Sequence, residues 1–133
     1  MSRKLKYILP VILYCVVIYF LSGLTGDSTP KIPISDKIIH VVVYSGLGFL
    51  VARSLTVLKP QNLGRANFVL LSTIFCALYG VSDEVHQLFV DGRYSEFGDV
   101  VADAIGGTLG STAFIIIRES VGQGYLKWAS RIL

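Results

Sequence analysis

The sequence predicts an all-α membrane protein, a bundle of four transmembrane helices followed by a C-terminal amphipathic segment, in a single domain spanning residues 1–133. Of the 133 residues, 53% are hydrophobic and only 16% are charged, whereas soluble domains carry about 25% charged residues. The mean hydropathy is +0.63, and four apolar runs are long enough to cross a bilayer. These runs do not alternate with a period of two, which favours helices over a β-barrel.

The first predicted span covers about residues 7–23. It follows the basic segment Ser2 to Lys6 and lacks the A-x-A-like cleavage site of a signal peptide, so we interpret it as an uncleaved span. Pro10 falls in its first turn, where a missing N–H group is tolerated. The segment from Gly23 to Ser35 contains two prolines and is predicted to be a loop.

The second span is predicted over about residues 36–57, with Ser35 as its N-cap. A short polar connection leads to the third span, over about residues 66–89, and Asp91-Gly92 indicates a tight turn after it. The fourth span is predicted over about residues 96–117. Glycine and serine recur there at four-residue spacing, which allows another helix to approach closely.

The residues after Arg118 differ in composition from the four spans. Apolar residues recur at helical spacing beside basic ones, which predicts an amphipathic helix on the membrane surface. A frayed tail is the alternative. The residues that form this pattern are Val121, Tyr125, Lys127, Trp128, Arg131 and Ile132.

The basic residues predict the orientation. Four spans place both termini on one side of the membrane, and nine of the 12 basic residues fall on that side; only Lys31, Lys37 and Arg93 fall on the other. The positive-inside rule therefore predicts cytoplasmic termini. Eight of the nine acidic residues lie at the opposite, extracytoplasmic side. The net charge of +3 does not indicate a nucleic-acid partner, because the basic residues sort by loop and form no basic patch with interleaved aromatic residues.

Ionisable residues near the outer ends of three spans predict a functional site. Such groups are costly in a bilayer and usually functional. Asp36, His40 and Tyr44 share one face of the second span because they are spaced four residues apart. We expect the polar residues of the three spans to form one outward-facing pocket. They are Asp36, Lys37, His40, Tyr44, Asp83, Glu84, His86, Gln87, Arg93, Asp99 and Asp103.

These residues also resemble a known family. The pattern resembles that of the VanZ family of small bacterial membrane proteins in order and spacing. It consists of Asp36 to His40, Tyr44, Ser82 to Phe89, Arg93, Asp99-Val100 and Asp103 through Gly110. Asp91 departs from the proline expected at that position. The resemblance implies a link to reduced sensitivity to teicoplanin, a lipid-tailed glycopeptide that acts at the outer face of the cytoplasmic membrane. It implies no defined molecular activity.

Two functions fit the predicted pocket. In the first, the protein acts on a lipid-linked envelope substrate, with Lys37 and Arg93 binding a phosphate or diphosphate headgroup. His40 oriented by Asp36, or His86 oriented by Asp83, would then transfer protons, and Glu84 could share that role. The other predicted substrate contacts are Tyr44, Gln87, Asp99 and Asp103.

In the second function, the protein captures or shields a membrane lipid, a lipid-linked precursor or a lipoglycopeptide without changing it. A purely structural role, in which the polar groups hold the helices together, is a further alternative. The histidines and carboxylates could also hold a divalent metal, although the sequence lacks an H-E-x-x-H or comparable spacing, so no metal ligands are assigned. Neither the cofactor nor the oligomeric state follows from the sequence.

Overall fold

The computed structural model describes residues 2–24, 35–58 and 64–129, and of residues 123–129 it describes only the backbone. In these segments the chain forms four α-helices and no strand. They are α1 (Arg3–Ser22), α2 (Asp36–Leu58), α3 (Arg65–Gln87) and α4 (Phe97–Ala129). All four are long and apolar enough to cross a membrane. The predicted all-α architecture with four spans is therefore confirmed.

The fourth helix is longer than the sequence predicted. It continues through residue 118 to Ala129 without a break, as a single helix of 33 residues. Gly122 and Gly124 do not end it, because a glycine inside a helix costs only about 1 kcal/mol relative to alanine. The surface location predicted for this tail stays a prediction. The side chains beyond Gly122, which form the predicted amphipathic pattern, are not described by the structure. The predicted loops at 25–34 and 59–63 also lie outside the described residues.

The second helix is the centre of the bundle. It packs against the other three helices and most extensively against α4. Small residues permit this close approach: a Cβ atom added at Gly48 would overlap the backbone of Gly107, and one added at Gly110 would overlap the carbonyl of Ser45. The close helix approach predicted from the glycine spacing in the fourth span is confirmed.

The first helix lies at the edge of the bundle and buries only Val11, Ile18 and Ser22. Two tyrosine hydroxyls attach it to its neighbours. Tyr14 donates to the Val43 carbonyl of α2 at 3.0 Å, and Tyr79 of α3 donates to the Cys15 carbonyl at 2.6 Å.

Large apolar side chains on the outer faces of the helices are exposed, as expected for surfaces that face lipid. The buried set is mixed. It holds Tyr44, Leu47 and Cys76 in a hydrophobic core, together with buried carboxylates near one end of the bundle. Ionisable groups are costly inside a bilayer, so this end of the bundle is the candidate for a functional site.

We predict that Gly110→Ala lowers the free energy of unfolding by about 1 to 3 kcal/mol, because the added methyl group forces α4 away from Ser45. An SDS titration followed by far-UV circular dichroism measures this. Gly122→Ala on the same helix is the control, since a Cβ atom there meets nothing within 4 Å. Equal stability of the two variants would contradict the close approach of α2 and α4.

Candidate functional site

The candidate site lies where three helix ends meet. The N-terminal turns of α2 and α4 and the C-terminal turns of α3 are brought together there, as the contacts of Lys37 with Glu96 and of Glu84 with Glu96 show. The chain places two helix N-termini side by side, so their positive dipole ends add at this location.

The deepest contact of the site joins α2 to α4. His40 Nδ1 lies 2.9 Å from Asp103 Oδ1, with 11% of the His40 side chain exposed and none of the Asp103 side chain. With Asp103 ionised, Nδ1 carries the proton and donates it to the carboxylate. The other oxygen, Oδ2, has no hydrogen-bond partner among the described residues. It packs against Gly80 of α3, where a Cβ atom would overlap it.

The sequence predicted Asp36 as the partner that orients His40, and the structure corrects this. Helical spacing can reveal only neighbours on the same helix, whereas Asp103 is 63 residues away along the chain. The sequence signal for a partner on another helix is the pair of aspartates one turn apart in the fourth apolar run, Asp99 and Asp103.

Tyr44 continues the face of α2 that carries His40. Its ring stacks on the His40 ring, with centroids 6.2 Å apart and planes 9° apart. The side chain is 1% exposed, and its hydroxyl has no hydrogen-bond partner in the described part of the chain. A buried hydroxyl without a partner is unfavourable, so this group is available to a water molecule or a ligand.

Three predicted site residues of α3 are buried at the same end, namely Asp83, Glu84 and Gln87. Gln87 Nε2 donates to Asp83 Oδ2 at 3.3 Å. Glu84 Oε2 accepts a 2.7 Å hydrogen bond from the Glu96 backbone N–H, which places a carboxylate at the N-terminus of α4, where it is favourable. Glu84 Oε1 has no partner among the residues described.

Lys37 pairs with two carboxylates at the start of α4. Its Nζ atom lies 2.7 Å from Glu96 Oε2 and 3.3 Å from Asp99 Oδ1. Half of the Lys37 side chain is exposed, while Asp99 is buried. The hydrogen bond from Lys37 lowers the pKa of Glu96, which precedes the membrane-spanning part of α4, below its ordinary value.

His86 lies apart from the other predicted site residues. Its ring stacks on Tyr19 of α1, with centroids 4.2 Å apart, and its Nδ1 lies 3.3 Å from Ser22 Oγ. The predicted pair of His86 with Asp83 is therefore wrong. Positions three residues apart on a helix differ by about 60° in direction, and here that difference is enough to turn His86 toward α1 while Asp83 pairs with Gln87.

Arg93 follows the predicted tight turn, which is confirmed. Gly92 has a φ of 76°, a conformation that favours glycine, and the Arg93 N–H donates to the Val90 carbonyl at 3.2 Å. The Arg93 side chain donates through Nε to the Leu24 carbonyl at 3.3 Å. Within the described segments no carboxylate lies within ion-pair distance of Arg93.

The site holds more buried carboxylates than cations. In the described segments, Lys37 contacts Asp99 and His40 contacts Asp103. One oxygen of Glu84 and one of Asp103 are buried there without a hydrogen-bond partner. A buried carboxylate without a partner is stable only when it takes up a proton or contacts a cation, a donor or water. One group of possible metal ligands also forms here, namely Asp36, His40 and Asp99.

A family model described as VanZ/LLP1 matches residues 8–118, which is most of the chain. The chain belongs to the VanZ/LLP1 family. The match includes every residue of the site described above. No curated protein and no solved structure matches the chain significantly.

Membership in the VanZ/LLP1 family and the four apolar helices make this chain a multi-pass membrane protein of a family linked to glycopeptide resistance. Each segment that carried the resemblance contributes to the candidate site: Lys37 and His40, Glu84, and Asp99 and Asp103. The same segments also contain His86, which faces α1, and Gly110, which packs against Ser45.

We predict that Lys37→Met raises the pKa of Glu96 back toward its ordinary value, because the hydrogen bond that lowers it is removed. The stabilisation from this pair is present above the ordinary carboxyl pKa and is lost as the pH falls through the lowered pKa of Glu96. A ¹³C NMR titration of the carboxyl carbons measures this, and Arg93→Met is the control. A Glu96 pKa unchanged by Lys37→Met would contradict the contact.

Proposed function

We propose that this VanZ/LLP1 protein acts on a lipid-linked envelope substrate and binds its phosphate or diphosphate headgroup at the extracytoplasmic end of the bundle. The observation that carries the proposal is the His40–Asp103 pair. A fully buried carboxylate that orients an imidazole inside a membrane bundle is costly to maintain, and such an arrangement is suited to proton transfer.

The exposed rim of the site, where Lys37 lies, suits an anionic headgroup, whereas the buried carboxylates of the site lie beneath it. The N-terminal ends of α2 and α4 meet there, and helix N-termini attract phosphate through their backbone N–H groups. Lys37 in the first turn of α2 is half exposed, so it can exchange its contact with Glu96 for one with a phosphate. Arg93 stands in the adjoining turn and keeps further donors beyond its bond to Leu24.

The exposed apolar faces of the helices support a substrate that arrives through the bilayer. Leu78 and Val85 of α3 are 66% and 51% exposed, on the helix that also carries Glu84 and Gln87. A lipid tail can lie along such a face while its headgroup reaches the helix ends. Soluble cytoplasmic cofactors would not reach a site at this end.

Capture without chemistry is the second candidate function, and one observation favours it. Among the residues that the structure describes, no serine, threonine or cysteine side chain hydrogen-bonds to His40, whose recorded partner is Asp103. A protein nucleophile activated by that imidazole is therefore not prepared. A protein that shields a lipid-linked precursor, or binds a lipoglycopeptide, needs only the cations and the unpartnered polar groups.

The proposed orientation rests on charge. Nine basic residues lie on the side of the termini against three on the other, which favours cytoplasmic termini in the cytoplasmic membrane and a site that opens outward.

We predict that Lys37→Ala and Arg93→Ala each reduce the amount of phosphate-bearing lipid that copurifies with the chain by about 10-fold or more, because each removes a charged hydrogen bond worth about 1.5 to 3 kcal/mol. Mass spectrometry of lipids extracted from the purified protein measures the loss. Arg65→Ala, at the opposite end of α3, is the control. Undiminished lipid in both site variants would refute headgroup binding here.

The fate of the retained lipid separates the two candidate functions. If the protein acts on its substrate, the wild type releases a product on incubation and His40→Gln does not, while His86→Gln behaves like the wild type because His86 lies against α1. A headgroup that stays unchanged over many hours in the wild type indicates capture.

We predict that Asp91→Cys, in an exposed turn, reacts with a membrane-impermeant maleimide in intact cells. Ser120→Cys, toward the other end of α4, should react only after the membrane is permeabilised. The background is Cys15→Ala with Cys76→Ala, which removes both native thiols. The reverse labelling pattern would overturn the orientation and place the site on the cytoplasmic side.

A further inference from the structure

We infer that Asp36, His40 and Asp99 form a binding site for one divalent first-row transition-metal ion, of the class of Zn²⁺ or Mn²⁺. One nitrogen of His40 and one carboxylate oxygen each of Asp36 and Asp99 all lie within 4.8 Å of one another. Two helices supply them: Asp36 and His40 are one turn apart on α2, and Asp99 is in the first turn of α4.

The hydrogen bond of His40 prepares its ring for a metal. Nδ1 contacts Asp103 at 2.9 Å, so with Asp103 ionised the lone pair lies on Nε2. Metal-binding histidines almost always donate their second ring N–H to a carboxylate or carbonyl, which fixes the ring and raises its basicity. Asp103, whose side chain is fully buried, is the carboxylate that holds the ring in this way.

Charge at this end of the bundle supports a bound cation. Asp83, Glu84, Asp99 and Asp103 are all buried. Within the described segments, Lys37 contacts Asp99 and His40, which is positive only when protonated, contacts Asp103. Oxygens of Glu84 and Asp103 lack partners in the described segments. A divalent ion supplies two positive charges where buried carboxylates need them.

The donor set indicates the class of ion. One imidazole nitrogen with two carboxylate oxygens suits Zn²⁺ or Mn²⁺ better than Mg²⁺ or Ca²⁺, which prefer oxygen ligands throughout. Tetrahedral ligands at about 2.1 Å from an ion lie about 3.4 Å apart, so the side chains have to close slightly. Asp36 is exposed and has the space to do so. Three protein ligands leave at least one position open.

The ammonium group of Lys37 opposes the ion by charge, because its Nζ lies 3.3 Å from Asp99 Oδ1 and 2.7 Å from Glu96 Oε2. Removing Lys37 should consequently strengthen metal binding.

The test uses the full-length chain in detergent, stripped with EDTA and then titrated with Zn²⁺ alone and with Mn²⁺ alone. Isothermal titration calorimetry and elemental mass spectrometry after desalting should show about one equivalent of one of these ions per chain. Asp36→Asn and His40→Gln should each weaken binding at least about 10-fold, and Asp103→Asn about 10- to 100-fold. Lys37→Met should tighten it.

Two matched controls accompany the variants. Asp91→Asn changes an exposed acid outside the cluster, and His86→Gln changes the chain's other histidine; both should bind like the wild type. Should His40→Gln fail to fold, Asp36→Asn decides, because Asp36 is exposed in the first turn of α2. Absence of both ions from the wild type, or undiminished binding by Asp36→Asn, would overturn the site. The readout uses metal ions alone, so it is separate from the lipid binding proposed above.

Discussion

The contact between His40 and Asp103 is the constraint on which the rest of the site depends. A carboxylate with no exposed surface inside a membrane bundle is stable only if its surroundings supply a partner. His40 supplies it for one oxygen at 2.9 Å, and Gly80 leaves just enough space for the other. A larger residue at position 80 would displace the carboxylate, so a backbone position on α3 sets the geometry of a contact between α2 and α4.

That contact forms because α2 and α4 lie so close together. The backbone of Gly48 faces that of Gly107, and Gly110 faces Ser45. Without side chains between the helices, polar groups nearer the helix ends reach each other directly, as Lys37 and Asp99 do. The close packing of α2 against α4 therefore also determines which polar side chains meet at the ends of these helices.

The sequence predicted the fold well because four apolar runs have few solutions in a bilayer. It also indicated several of the residues that lie together at the helix ends, since ionisable groups inside spans have few tolerable positions, although His86 turns toward α1 instead. It did not predict how they pair. Spacing along one helix suggested Asp36 for His40 and Asp83 for His86, whereas the partners are Asp103 on α4 and, for His86, Ser22 on α1. Rotation of one helix about its axis relative to another is invisible in a single sequence.

Two hydrogen bonds that attach α1 to its neighbours end on main-chain oxygens, and this affects which substitutions relatives of this protein can tolerate. The hydroxyls of Tyr14 and Tyr79 bind the main-chain oxygens of Val43 and Cys15, and every amino acid provides such an oxygen. Replacement of the residues that bear these acceptors therefore leaves the anchoring intact, provided that the two phenols remain. The first helix is consequently free to adapt its outer surface to membranes of different lipid content while the chemistry at the other helices is kept.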